Sequence, residues 1–255
     1  MPLLNLLLAA LLPVAGVLSS LLGIGHPLWA MPGVRTLVVP APYAFSIWGP
    51  IFVLALAWGF WQARPAQRAD PQVARLRGPA AAAFAAMLAW MVAAQLTPNG
   101  WHLLAIMLVL LAAALLALGR ATAAARDTPG WRWIARPLFG LLAGWISAAA
   151  VVNLSGAAAA EGFGWFGLAP SVVAMGLVLL AAWIATTVLR RNRGDRWYAG
   201  AVLWALAAII AAQLSARMPD YAVALIAALG LLMVATASRL AGRQQSGVQP
   251  EAYPG

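Results

Sequence analysis

Residues 43–62 read YAFSIWGPIFVLALAWGFWQ, an apolar run of membrane length with a proline near its start. At 1.5 Å per residue this stretch rises about 30 Å as an α-helix, the thickness of the hydrocarbon core, so it is expected to span. Pro50 lacks an amide donor and its ring presses on the carbonyl of Ser46, which predicts a bend near the N-terminal end of the span. Phe45, Trp48 and Phe52 stand at i, i+3 and i+7 and fall within an arc of roughly 60°. One aromatic face results. It is open to two readings, packing against neighbouring helices or the wall of a site for an aromatic ligand.

The rest of the 255-residue chain has the same character, with 64% hydrophobic and 9% charged residues. Soluble domains approach a quarter charged. Apolar runs of about 20 residues recur without the alternation of a transmembrane barrel. The fold class is therefore all-α: a polytopic membrane bundle of about eight helices, each satisfying its own backbone. All 16 basic residues are arginine and the net charge is +10. In a membrane protein such an excess marks cytoplasmic loops, so it reads as topology and not as a nucleic-acid surface. The partners expected are the lipid bilayer and a small hydrophobic ligand, with no nucleic acid; a homodimer is allowed. The absence of cysteine excludes disulfides, thiolate metal sites and thiol catalysis.

The first run, residues 2–23, is taken as a helix and not a signal peptide: no arginine precedes it, no clear small-x-small site follows, and it is long enough to span. A loop over residues 24–41, carrying His26, Trp29 and Arg35, leads to the span at 43–62. Further spans are expected at 78–96, 101–118, 133–153, 165–189, 197–214 and 221–238, with a small-residue loop at 154–164 and Asp220 placed to cap the last helix. Eight spans put both termini on one side. That side then holds Arg64, Arg68, Arg75, Arg77, Arg120, Arg126, Arg132, Arg136, Arg190, Arg191, Arg193, Arg196, Arg239 and Arg243, leaving only Arg35 and Arg217 outside. The bias predicts that both termini are cytoplasmic. Trp58, Trp61, Trp131, Trp133 and Trp197 then sit at the inner boundary and Trp29, Trp101 and Trp165 at the outer one, as an aromatic belt.

Three tryptophans do not fit a belt. Trp48, Trp90 and Trp145 lie about 9 to 12 Å below the outer ends of their spans, close enough in depth to line one cavity. Trp183 and Trp204 lie nearer the inner half. On the fifth span Trp145, Ala149 and Asn153 are spaced by four and share a face, with Gly140, Gly144 and Ala148 forming a small-residue ridge beside it. Asn153 has two readings, a hydrogen bond to a neighbouring helix or contact with a ligand.

PYAFSIWGPIF followed by GWISAAAVVN resembles the translocator protein family, the tryptophan-rich sensory proteins (TspO/MBR). Pro40, Pro42, Phe45, Trp48 and Phe52 follow the order of that family's second-helix motif, and Trp145, Ala149 and Asn153 keep its fifth-helix spacing. The resemblance implies a five-helix core over residues 1–155, three added helices over 156–240 and a disordered cytoplasmic tail over 241–255. It also implies an outer-facing pocket for porphyrins and other flat hydrophobic ligands, covered by the first loop, where Trp29 lies. Departures are present: if Trp90 is the family's third-helix tryptophan, Met87 stands where an asparagine is usual, and Phe52 replaces a common tyrosine. The ligand-binding residues this implies are Phe45, Trp48, Phe52, Met87, Trp90, Trp145, Ala149, Asn153 and Trp29.

The function expected on these grounds is binding of a tetrapyrrole-like ligand for sensing, transport or scavenging, with no obligatory cofactor and no catalytic or metal-binding residues. Passive small-molecule permeation and light-dependent porphyrin degradation are the alternatives. Ion-coupled transport is disfavoured because the span interiors carry no Asp, Glu, His or Lys. The arginine distribution makes the topology testable: a reporter active only in the periplasm should be active when fused within residues 97–100 and inactive after Arg193. The opposite pattern overturns the arrangement.

Overall fold

The computed structural model describes residues 1–26, 36–124 and 127–246; Trp29, Arg35, Arg126 and residues 247–255 lie outside this set. Among the described residues there are ten α-helices and no strand: α1 Pro2–Gly16, α2 Leu18–Leu22, α3 Trp48–Ala63, α4 Pro65–Arg68, α5 Pro71–Leu96, α6 Trp101–Ala123, α7 Arg136–Ala160, α8 Pro170–Arg191, α9 Arg196–Leu214 and α10 Tyr221–Ser246. Seven helical segments are long and apolar enough to cross a membrane, and α1 is a shorter apolar helix. The protein is a multi-pass membrane helix bundle.

The N-terminal segment nevertheless reaches both ends of the bundle. Gln62 Nε2 donates to the Pro2 carbonyl at 2.8 Å and Asn5 Nδ2 to the Arg77 carbonyl at 3.0 Å. At the other end Gln95 Nε2 donates to the Ala15 carbonyl at 2.7 Å, and the His26 amide to the Gln95 carbonyl at 2.7 Å. Arg77 and Gln95 lie on α5, separated by about 27 Å of helix rise. Pro13, which removes a donor, and the break after Gly16 divide the segment into α1 and α2 without ending its course.

Pro50 does not kink a continuous helix. Residues Pro42–Ile47 form 3-10 turns that hand over to α3 at Trp48, so Pro50 falls in the first turn of α3, where its amide would have no intrahelical acceptor anyway. Other boundaries move outward from their expected places. α5 begins at Pro71 because Asp70 Oδ1 accepts from the amides of Gln72 at 2.8 Å and Val73 at 3.3 Å, so Arg75 and Arg77 are helical and not in a loop. α7 continues through the alanines to Ala160, absorbing most of the expected loop after Asn153. The sixth span starts at Pro170, after a 3-10 turn at Trp165–Gly167, and α10 runs to Ser246, past the point where a disordered tail was expected to begin. Asp220 caps α10 as expected, its Oδ1 accepting from the Val223 amide at 3.0 Å, and the Ser171 hydroxyl on its other oxygen holds the carboxyl below its ordinary range.

Helix neighbours close a ring in the order α1, α3, α7, α6, α5 and back to α1. Against its α7 side pack α9 and α8, with α10 lying across both. Gly140 and Gly144 explain how close α9 comes. A methyl group on Gly140 would sit 2.5 Å from Trp197 Cβ, and one on Gly144 would sit 2.5 Å from the Tyr198 carbonyl oxygen and 2.8 Å from Ala201 Cβ. The Tyr198 hydroxyl donates across the seam to Ser147 Oγ at 2.9 Å, which donates on to the Ala143 carbonyl at 2.8 Å.

At the arginine-rich end the belt reading fails for three tryptophans. Trp58, Trp61 and Trp131 are buried, Trp58 edge-on to Phe139 at 5.2 Å and Trp61 edge-on to Trp131 at 6.2 Å, because α3 and the start of α7 meet there. Trp133 remains exposed. Arg77 is buried in the same region and, among the described residues, has no carboxylate hydrogen-bonded to it. Its guanidinium donates to Gln62 Oε1 at 3.1 Å, to the Gln67 carbonyl at 2.7 Å and to the Arg68 carbonyl at 3.2 Å, thereby satisfying chain ends that lie just past α3. Arg77→Ala should therefore cost about 2 to 3 kcal/mol in reversible unfolding in detergent, since charged hydrogen bonds are lost and carbonyls left bare. Arg75→Ala, at an exposed position, should stay within about 0.5 kcal/mol; equal losses would mean that Arg77 acts only through its charge.

Candidate ligand-binding site

α7 presents two faces. Gly140 and Gly144 meet α9, and Trp145, Ala149 and Asn153 turn into the ring. Between them and the end opposite the arginines lies an apolar cavity of about 180 Å³. Its walls are Phe45 and Trp48 from the entry to α3, Trp90 from α5, Leu103 and Met107 from α6, and Trp145, Ala149 and Asn153 from α7. Phe45 and Trp48 each meet Trp145 edge-on, with ring centroids 5.7 and 6.1 Å apart. Three tryptophans of matched depth thus share one space.

Asn153 takes the interhelical reading. Its Oδ1 accepts from Trp90 Nε1 at 3.1 Å, and its Nδ2 donates to the Ala149 carbonyl at 2.9 Å. The bond answers the polar need of an indole inside an apolar wall and ties α5 to α7 across the cavity. It also leaves the amide at the lining, where it and Asn99 are polar side chains among aromatic and aliphatic groups.

Two expected site residues are not on the cavity. Phe52 stacks on Trp48 at 5.7 Å, with 23° between the rings, so it backs the wall and does not form it. Met87 is fully buried in the core away from the lining. Trp29 lies outside the described residues. The sequence reading missed the α6 residues Leu103 and Met107, whose i, i+4 spacing on an otherwise uniform apolar helix gave no sign, and the turn residues Asn99 and Gly100. Asn99, at φ 66°, and Gly100, at φ 126°, occupy backbone regions that asparagine and glycine tolerate, which a Pro-Asn-Gly sequence does signal.

The larger correction concerns α9. Ala205 and Ile209 line the cavity, so residues 1–155 do not enclose it alone. α9 also holds the chain that leads into α3: the Ala41 amide donates to the Ala208 carbonyl at 2.9 Å, Trp204 Nε1 to the Ala44 carbonyl at 2.9 Å and Gln213 Nε2 to the Leu37 carbonyl at 2.5 Å. Trp204, read from depth as remote, packs edge-on to Tyr43 at 5.3 Å. Val39 and Pro40, between these ties, form part of the cavity wall.

A family model described as TSPO-like protein matches residues 3–238. The chain belongs to that family. No curated protein and no solved structure matches it. The TSPO-like match runs past residue 155 through α8, α9 and most of α10, in keeping with α9 touching the cavity. No group of His, Asp or Glu among the described residues of this TSPO-like chain is arranged to hold a metal ion.

The α9 ties give a prediction that needs no ligand. Trp204→Phe keeps a ring against Tyr43 but removes the donor to Ala44, so amides of residues 38–47 should exchange with deuterium roughly 2- to 12-fold faster, the range for one net hydrogen bond. Unchanged exchange would show that the other contacts suffice to hold the entry to α3.

Proposed function

We propose that this TSPO-like protein binds a flat hydrophobic ligand of the tetrapyrrole class in the cavity walled by Phe45, Trp48, Trp90 and Trp145, with Ala149 and Asn153 at its side. The observation that carries the reading is the convergence of four aromatic side chains from three helices on one apolar space whose polar side chains include the amides of Asn99 and Asn153. Planar π systems gain from edge-to-face and stacked contacts of this kind beyond the area they bury. The cavity, at about 180 Å³, takes the edge of a macrocycle and not the whole of it, so the polar rim of the ligand stays at the mouth. In this reading the five-helix ring supplies most of the site, and α9 completes its wall with Ala205 and Ile209. The arginine-rich end faces the cytoplasm of a bacterial inner membrane, which places the cavity in the outer leaflet.

Trp145→Leu tests the site. It removes a ring that is buried and central to the wall while keeping an apolar side chain, so protoporphyrin binding followed by the ligand's own absorbance in nanodiscs should weaken roughly three- to tenfold. Trp183→Leu, on an exposed face away from the cavity, should bind like the parent. Equal behaviour of the two variants would reduce the tryptophan layer to core packing.

A further inference from the structure

A second cavity, of about 370 Å³, opens at the arginine-rich end between the starts of α7 and α9. Arg132, Arg136, Arg193 and Arg196 line it together with Asp127 and Asp195, four positive charges against two negative. Topology explains why arginines lie on this side of the membrane, but not why four converge on one cavity. Their convergence has local causes. A π-helical turn at Trp131–Ala135 runs into α7 and sets Arg132 and Arg136 on the same opening. Arg193 at φ 57° and Gly194 at φ 65° reverse the chain between α8 and α9 and bring Arg193 beside Arg196. The Arg132 and Arg196 guanidiniums rest over the indoles of Trp133 and Trp197 at 5.3 and 5.2 Å, which limits their freedom.

Of the two carboxylates, that of Asp195 is already committed. Asp195 is buried, its Oδ1 accepting from the amides of Trp197 and Tyr198 at 3.0 Å each, while its Oδ2 meets Arg136 at 3.5 Å. Burial pushes its carboxyl above the ordinary range, against the pull of the two amides and of Arg136. Among the described residues no carboxylate pairs with Arg132, Arg193 or Arg196, and Arg136 Nε is buried without an acceptor. Donors facing one opening thus outnumber the acceptors that the protein itself supplies.

We propose that this cavity is a phosphate site occupied by the phosphodiester of an anionic lipid headgroup. Guanidinium forks match phosphate oxygens in pairs, and several from different elements fix the group's position as well as its charge. The choice of a lipid over a soluble phosphate rests on depth: the cavity lies where the spans end, beside Trp133 and Trp197, at the level where indoles and headgroups share the interface. Headgroups are present there at far higher local concentration than any dissolved anion.

The test uses the whole chain in neutral detergent, titrated with short-chain phosphatidylglycerol, short-chain phosphatidylcholine or inorganic phosphate, and read by native mass spectrometry and thermal unfolding. Phosphatidylglycerol should be retained in preference to phosphatidylcholine. Its apparent affinity should fall about tenfold or more in Arg132→Gln/Arg196→Gln and stay within about twofold in Arg190→Gln/Arg191→Gln, which removes equal charge from neighbouring exposed positions off the cavity. Equal losses in both variants, or none in either, overturn the site in favour of diffuse surface charge. Stabilisation by inorganic phosphate without retention of phosphatidylglycerol overturns the lipid assignment. If the Arg132→Gln/Arg196→Gln protein is not recovered folded, Arg193→Asn, which keeps a side chain tolerant of the left-handed backbone, is held to the same criterion.

Discussion

The seam between α7 and α9 is the contact on which the cavity depends. It exists because Gly140 and Gly144 leave nothing for α9 to displace, and any side chain there would meet the backbone or Cβ atoms of residues 197–201. In a bilayer, helices gain little from excluding lipid tails, so van der Waals contact at close range and a few hydrogen bonds must supply the attraction. Tyr198 and Ser147 provide one such bond at the centre of the seam. With α9 fixed, its C-terminal half holds residues 37–44 in place, and these give the cavity one of its walls.

Polar side chains within the apolar bundle follow one economy. Several serve a group that would otherwise be bare: Asn153 receives the Trp90 indole, Gln95 reaches the Ala15 carbonyl in the last turn of α1, and Arg77 collects carbonyls beyond α3. Trp131 likewise donates to the Ala121 carbonyl at 3.1 Å, joining α6 to the entry of α7. These are fastenings between elements, those of Asn153 and Gln95 linking segments 63 and 80 residues apart in the chain.

The class of fold was legible from composition, and most spans from run length, because twenty apolar residues have few other structures open to them. Boundaries were less so. Asp70 extends α5 by capping it, and alanine continues α7 past Asn153, both local effects that hydropathy does not weigh. The three tryptophans of matched depth did identify a shared space, since depth along a helix follows from counting. Direction around the helix axis was harder: Phe52 and Trp48 share an arc, yet one backs the other. Trp204 stays off the cavity, as its depth implied, yet its indole reaches the Ala44 carbonyl in the chain entering α3. Four arginines on one cavity were invisible in a count that asked only which side each occupied.

The fastenings of α1 carry a consequence for how the protein is made. Asn5 and Ala15 find their partners on Arg77 and Gln95, 72 and 80 residues later in the chain. At roughly 5 to 20 residues per second, the first segment waits about 4 to 16 s before α5 is complete. During that interval an asparagine sits in or near the bilayer without its final acceptor, and a helix interrupted by Pro13 waits first for α3 and then for α5 to pack against it. The retention of this segment in the membrane is therefore decided by elements that do not yet exist when it emerges.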